Sequence, residues 1–136
     1  MSAYKEFRNI QFANAELLMR ALKELGLKPE IGPSLILYGY QGDARQQRAQ
    51  IVVRRQQIGT SSNDLGFAWN GQAFIPIISE YDARNTLTEE WRQSLLAMYS
   101  KLAVLRFLEA KGASIRQIQA GEAGIAIYAT VEVKQL

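Results

Sequence analysis

The chain has 136 residues, 16 basic against 13 acidic side chains, a formal net charge of +3 and 48% hydrophobic residues. It contains no Cys and no His, which excludes disulfides, thiolate nucleophiles and imidazole chemistry, and leaves Asp, Glu, Lys, Tyr and Arg for any catalysis. The length suits one domain, residues 1–136, with a core of its own, and so small a charge steers polyanions only weakly.

Met1 to Arg8 is polar, with no apolar segment of a secretory leader behind it, and no run approaches the ~20 apolar residues of a membrane helix. A cytoplasmic protein is the expectation. From Tyr4 to Phe12, Phe7, Ile10 and Phe12 alternate loosely with polar residues and suit a first strand. Asn14 has the side chain of an N-cap. Leu18, Ala21, Leu22 and Leu25 follow at helical spacing, and Gly26 supplies a stop. Lys28-Pro29-Glu30 and Ile31-Gly32-Pro33 read as turns.

Strands are expected over Leu35 to Tyr40 and Gln50 to Ile58, with the Arg/Gln-rich stretch Gln41 to Ala49 as a loop between them. Asp64-Leu65-Gly66-Phe67-Ala68-Trp69-Asn70-Gly71 is the sharpest local signal. Asn-Gly favours a type I′ turn, whose two central residues both need positive φ. That turn pairs Trp69 with Gln72, Phe67 with Phe74 and Leu65 with Pro76. Leu65, Phe67, Trp69 and Phe74 then share one face, and the small Gly66, Ala68 and Ala73 lie on the other. Pro76 cannot donate to a ladder, so its strand should be at an edge or kinked.

Thr86-Leu87-Thr88-Glu89 has the form of a capping box and opens the longest helix, Leu87 to Lys111. Trp91, Leu95, Met98, Leu102 and Leu105 repeat at helical spacing, Leu96, Tyr99, Ala103, Phe107 and Leu108 widen the apolar surface, and Gly112 ends it. A last hairpin, Ser114 to Gln119 with Ile125 to Val133, completes the chain. The order β-α-β-β-β-β-α-β-β predicts an α+β fold, an antiparallel sheet with two helices packed on one face.

The segment Asp64 to Phe74 resembles the Asp-Ile-Gly-Phe-x-Trp-Asn-Gly-x-x-Tyr stretch of the Ycf35 family, also called the DUF1257 domain. Similar points follow in order: Phe7 and Ile10, the helix from Leu18 to Gly26, Tyr38-Gly39-Tyr40-Gln41-Gly42 with Arg45, Ile51-Val52, Tyr99 and Gly112. There are departures. Glu6 stands where the family usually has His, Ile78-Ser79-Glu80 replaces a Val-Ala-Asp context, and Ala129-Thr130-Val131-Glu132 does not reproduce the Val-Gln-Arg-Trp tail. With these departures the chain resembles a divergent bacterial or phage member rather than a plastid one. The resemblance implies a fold and, through genes that neighbour an AAA-type ATPase or a ferredoxin, an accessory role.

Several features invite a function, each beside a plainer reading. Trp69, Phe67 and Tyr99 form an aromatic set for contact with a partner, though aromatic faces mostly serve the core. Arg45, Arg48, Arg54 and Arg55, near Tyr38 and Tyr40, suit nucleic-acid phosphates. Arg54 and Arg55, as neighbours on a strand, point to opposite faces, which favours a solvated loop. Gly39 to Gly42 lacks the Lys-Ser/Thr ending of a phosphate loop. Glu80, Asp82, Glu89 and Glu90 could hold a hard cation, but acids in a first helical turn are favoured by the helix dipole. Asp64 beside a turn reads as a backbone cap before it reads as a catalytic acid.

The long helix has more apolar surface than one sheet face needs, which suggests a homo-oligomer or another partner. The leading expectation is therefore a non-enzymatic accessory or adaptor protein acting by protein–protein contact, with an AAA-type ATPase as the partner the resemblance implies, and with no catalytic residue, metal or cofactor and no membrane. Nucleic-acid binding through the four arginines is the alternative. A small-ligand or metal-dependent enzyme using Asp64, Glu80 or Asp82 is the third.

Overall fold

The computed structural model describes residues 2–121 and 124–131, the last two strands by their backbone. It is an α+β fold in the order β1 (Tyr4–Glu6), α1 (Ala15–Glu24), β2 (Glu30–Tyr38), β3 (Ala44–Val53), a 3-10 turn (Arg55–Gln57), β4 (Leu65–Trp69), β5 (Phe74–Ser79), α2 (Glu80–Asn85), α3 (Glu89–Ala110), β6 (Ala113–Gly121) and β7 (Gly124–Val131). The first five strands make one antiparallel sheet in the order β1-β5-β4-β3-β2. The last hairpin, β6 with β7, pairs only with itself as a second, two-stranded sheet whose backbone lies against α3; the end of the strand expected through Val133 falls outside the described residues.

One face of the five-stranded sheet carries the main core. Ile51, Val53, Leu65, Phe67 and Ile78 meet Leu17, Leu18, Ala21 and Leu22 of α1 and Leu95 and Leu102 of α3. Both long helices therefore lie on this face. Phe12 sits at its centre, edge-on to Phe67 at 5.9 Å and to Tyr99 at 5.0 Å between ring centroids. Such pairs add ~1 kcal/mol each beyond the area they bury. On the opposite face Leu37, Ala49, Val52 and Ile77 form a smaller cluster. Gly66 is what allows it, because a Cβ there would stand 3.0 Å from both Ala49 Cβ and a Leu37 methyl. The close approach expected at this glycine comes from side chains of neighbouring strands.

Local capping follows the sequence at the first helix. Asn14 Oδ1 accepts from the Leu17 amide at 2.9 Å, and Gly26 and Gly112, both with positive φ, follow the ends of α1 and α3. At α3 the cap moves. Thr88, not Thr86, is the N-cap and accepts from the Trp91 amide at 3.3 Å. Thr86 instead donates to the Asp82 carboxylate at 2.6 Å, a buried partner that outcompetes a solvent-exposed capping box.

Four further expectations are corrected. The single first strand breaks after Glu6. Ile10 N–H closes a turn on Phe7, and the chain returns to β5 at Phe12, which exchanges both backbone hydrogen bonds with Phe74. The supposed turns at Glu30 to Pro33 are the start of β2. Pro33 is tolerated there because β2 is an edge strand whose pairing is interrupted between Ile31 and Leu35. The Arg/Gln-rich segment from Ala44 to Ala49 is strand: its polar side chains are exposed or half-buried while its backbone pairs with β2, so composition alone mimicked a loop.

The fourth concerns the hairpin. Trp69 pairs with Phe74 and Phe67 with Pro76, two residues out of the expected register, so the connection is a four-residue loop. Among the described residues none other than glycine has positive φ, and Gly71 alone in this loop does, at 102°. Asn70 contributes its side chain rather than a left-handed backbone. Its Oδ1 accepts from the amides of Gln72 and Ala73, both at 2.9 Å. A slip of two residues preserves the alternation of faces, so Leu65, Phe67, Trp69 and Phe74 still share one face. Pro76 lies in an interior strand. Its carbonyl accepts from Phe7, just past the end of β1, so its missing N–H falls where the ladder has already stopped.

Candidate functional site

The β4–β5 hairpin is built differently at its two ends. At its base, Asp64 is 2% exposed. Its Oδ2 accepts from the Tyr38 amide and from the Arg54 guanidinium, each at 2.8 Å, and its Oδ1 accepts from the Arg55 amide at 2.7 Å. Its backbone carbonyl accepts from the Tyr4 hydroxyl at 2.7 Å. One carboxylate thus ties together the end of β2, the end of β3 and the start of β4. Arg54 also donates to Glu30 at 2.6 Å and to the Ile36 carbonyl at 2.8 Å. Partial burial works against its charge, but the hydrogen bonds to Glu30 and Asp64 outweigh that and raise its pKa further. Burial, reinforced by the negative charge of Asp64 and only partly offset by Arg45, raises the pKa of Tyr4 far beyond its ordinary value.

The neighbouring Asn63 extends the buried polar layer. Its side-chain oxygen accepts from the Tyr40 amide at 3.0 Å, and its amide nitrogen donates to Ser79 Oγ at 2.9 Å. Asp82, 1% exposed, accepts from Asn63 N–H at 2.8 Å, from Ser79 Oγ at 2.7 Å and from Thr86. Sequence reading missed this layer. The available signal was Ser79-x-x-Asp82, which has the spacing of a helix cap: Ser79 caps α2 by accepting from the Asp82 amide.

The residues proposed for a cation therefore do not converge. Glu80 pairs with Lys5 at 3.4 Å, Asp82 is turned inward, and Glu89 and Glu90 lie in the first turn of α3. Among the described residues no group of three or more acidic side chains is placed to hold a metal. Asp64, with three donors on its two oxygens, acts as the backbone cap that the plainer reading expected.

The four arginines have different surroundings. Arg45 donates to the Ser2 carbonyl at 2.8 Å and stacks over Tyr4, 4.9 Å from the ring centroid. Arg48 is exposed and reaches the Ser34 carbonyl at 3.4 Å. Arg54 is bound at Asp64, and Arg55, in the 3-10 turn, gives its backbone amide to the same carboxylate. Arg54 lies beyond the end of β3, so the alternation argued for a continuous strand does not apply to the pair.

The aromatic set also separates. Phe67 is fully buried, and its inclusion as a contact residue is corrected by that burial. Tyr99 packs on Phe12, and its hydroxyl accepts from the Asn14 amide at 3.0 Å, joining α3 to the start of α1. Trp69 alone remains outside, 46% exposed at the tip of β4. Its ring leans on Phe74 at 4.9 Å, and its amide donates to Gln50 Oε1 at 2.7 Å. Gln50 in turn donates to the Pro33 carbonyl, bridging the gap that the irregular β2 pairing leaves. Two hollows flank the indole. One, of about 570 Å³, is bordered by Ala13, Ala15, Pro33, Gln50 and Phe74. The other, of about 420 Å³, is bordered by Glu6, Arg8, Gln11, Ala68, Ile75 and Ile77. Trp69 is the ridge between them.

No helix among the described residues is long and apolar enough to cross a membrane. The family model described as "Protein of unknown function (DUF1257)" matches residues 21–127, a span that holds both ends of the hairpin and all of α3. No curated protein and no solved structure matches the chain. Because the match covers most of the sequence and the hairpin carries the motif that resembled the family, the chain belongs to the DUF1257 family.

Proposed function

We propose that this is a cytoplasmic, non-enzymatic accessory protein that engages a partner protein through the ridge of Trp69. The observation that carries this reading is the exposure of an indole held by a rigid support. Trp69 is fixed at its backbone by Gln50 and at its ring by Phe74, yet almost half of it faces solvent. Large aromatic side chains beside apolar hollows are where protein interfaces concentrate their binding energy. Asp64 and Asp82 are instead occupied by backbone, guanidinium and hydroxyl donors, and Glu80 pairs with Lys5. Three of the four arginines spend hydrogen bonds on the chain itself, so the nucleic-acid reading has less behind it.

Co-purification from the native host with tagged wild-type protein and with Trp69→Ala tests the proposal. The expected result is a partner, with an AAA-type ATPase as the first candidate, that is retained by wild type and lost with the variant. A partner set unchanged by the substitution, or no enrichment over an unrelated bait, overturns it.

A further inference from the structure

The outer side of α3 carries a second surface, separate from Trp69. At ~100° per residue, Val104 lies opposite Leu95 and Leu102, the two residues of α3 that the core buries. Ala97, Ser100, Phe107 and Lys111 fall on the same outer side, with Glu90 in the first turn of the helix. Phe107 is 60% exposed and Val104 41%. The Lys111 ammonium lies over the Phe107 ring, 5.7 Å from its centroid. A helix that buries one face in a monomer normally keeps the other polar; here the C-terminal half of that face is apolar.

We infer that this stripe binds a second copy of the same chain, the two α3 helices packing antiparallel about a two-fold axis between Ser100 and Lys101. The pattern is complementary to itself in that arrangement. Counting outwards from the axis sets Val104 against Ala97 and Lys111 against Glu90 of the second copy, and the symmetry makes each contact twice. The branched Val104 meets a small residue, and the basic end of each helix meets the acidic end of the other. A parallel pair would instead set Glu90 on Glu90, Phe107 on Phe107 and Lys111 on Lys111. Lys101 lies on the flank, where its long stem carries the charge to water. A helix of 22 residues is about 33 Å long, so the contact is smaller than a standard interface and the association is reversible.

Analytical ultracentrifugation of the full chain at rising concentration tests this, with charge reversal at the ends of the stripe. Wild type should form dimers. Glu90→Lys and Lys111→Glu should each weaken the dimer by about tenfold, since two attractions become two repulsions. The double variant E90K/K111E should recover it. Because the chain has no Cys, Ser100→Cys introduces a single thiol, which should oxidise to an intermolecular disulfide. Gln93→Cys should not, its counterpart lying roughly 20 Å away along the helices. A chain that stays monomeric overturns the inference. So does a dimer indifferent to the single reversals, a double variant no better than either single, or cross-linking through residue 93. Trp69→Ala should leave sedimentation unchanged, which separates failure here from failure of the Trp69 reading.

Discussion

Asp64 and Trp69 stand five residues apart, just before β4 and at its end, and the chain treats them in opposite ways. Asp64 is buried, and both of its oxygens accept hydrogen bonds from three segments of the chain. Trp69, at the other end, is pinned only by Gln50 and Phe74 and turns a large apolar surface outward. Burying a carboxylate costs several kcal/mol unless its partners are complete, and leaving an indole in water forgoes burial energy. The first cost is met within the fold, so Asp64 is explained by stability. The second is not, which makes Trp69 the position where function is the better explanation.

Substitutions along this strand can break the contrast. Asp64→Ala leaves the Tyr38 and Arg55 amides unpaired and Arg54 with Glu30 as its remaining carboxylate partner. A loss of about 3–5 kcal/mol is expected in urea unfolding. A loss under about 1 kcal/mol would show that the base of the hairpin is not held by this carboxylate, and would return Asp64 to the list of functional candidates. Gly66→Ala forces a methyl group against Ala49 and Leu37 and should cost about 1–3 kcal/mol, as overpacking does. A neutral result would mean that the second cluster yields easily.

Tyr4→Phe removes the hydrogen bond to the Asp64 carbonyl, at about 1 kcal/mol near neutral pH. Its pH dependence sharpens the test. The folded-state pKa of Tyr4 is raised, so the folded protein holds the phenolic proton more tightly than the unfolded chain. The stability this confers is complete below the ordinary tyrosine value of about 10 and is lost as pH rises from there towards the folded pKa. Wild type should therefore lose stability in alkali faster than the Phe variant; parallel curves would show that Tyr4 is not shielded. Trp69→Ala should have the smallest effect on stability, below about 1 kcal/mol, because half the ring is already in water and the Phe74 contact is the main loss. A large loss would make Trp69 a structural residue after all, and would remove the main support for a contact site.

Much of the fold could be read in the residues. Asn14 and Gly26 bound α1 by chemistry confined to one turn, and the alternation Leu65, Phe67, Trp69 defines a face that holds even though the hairpin register is shifted. The register itself depended on whether Asn70 would use its backbone or its side chain, and two good side-chain hydrogen bonds decided it. The strand at Ala44 to Ala49 was hidden because its polar side chains mark exposure and carry no information about backbone pairing. Trp69, Phe67 and Tyr99 looked equivalent as candidates, since residue type does not say which ring will be covered.

Taken alone, the sequence determined the class of fold, the ends of the first helix, the inward face of the central hairpin and the absence of Cys and His chemistry. All of these rest on local geometry or composition. The tertiary structure decided the order of the strands, the separate pairing of β6 with β7 and the moved cap of α3. It also decided the assignment of Asp64 to a buried node and of Trp69 to the surface. Most of those turn on which group from elsewhere in the chain arrives beside a residue, as Arg54 does at Asp64 and Gln50 at Trp69; the moved cap follows from Asp82, four residues before Thr86. Long-range pairing energies of this kind are not written in any single stretch of chain.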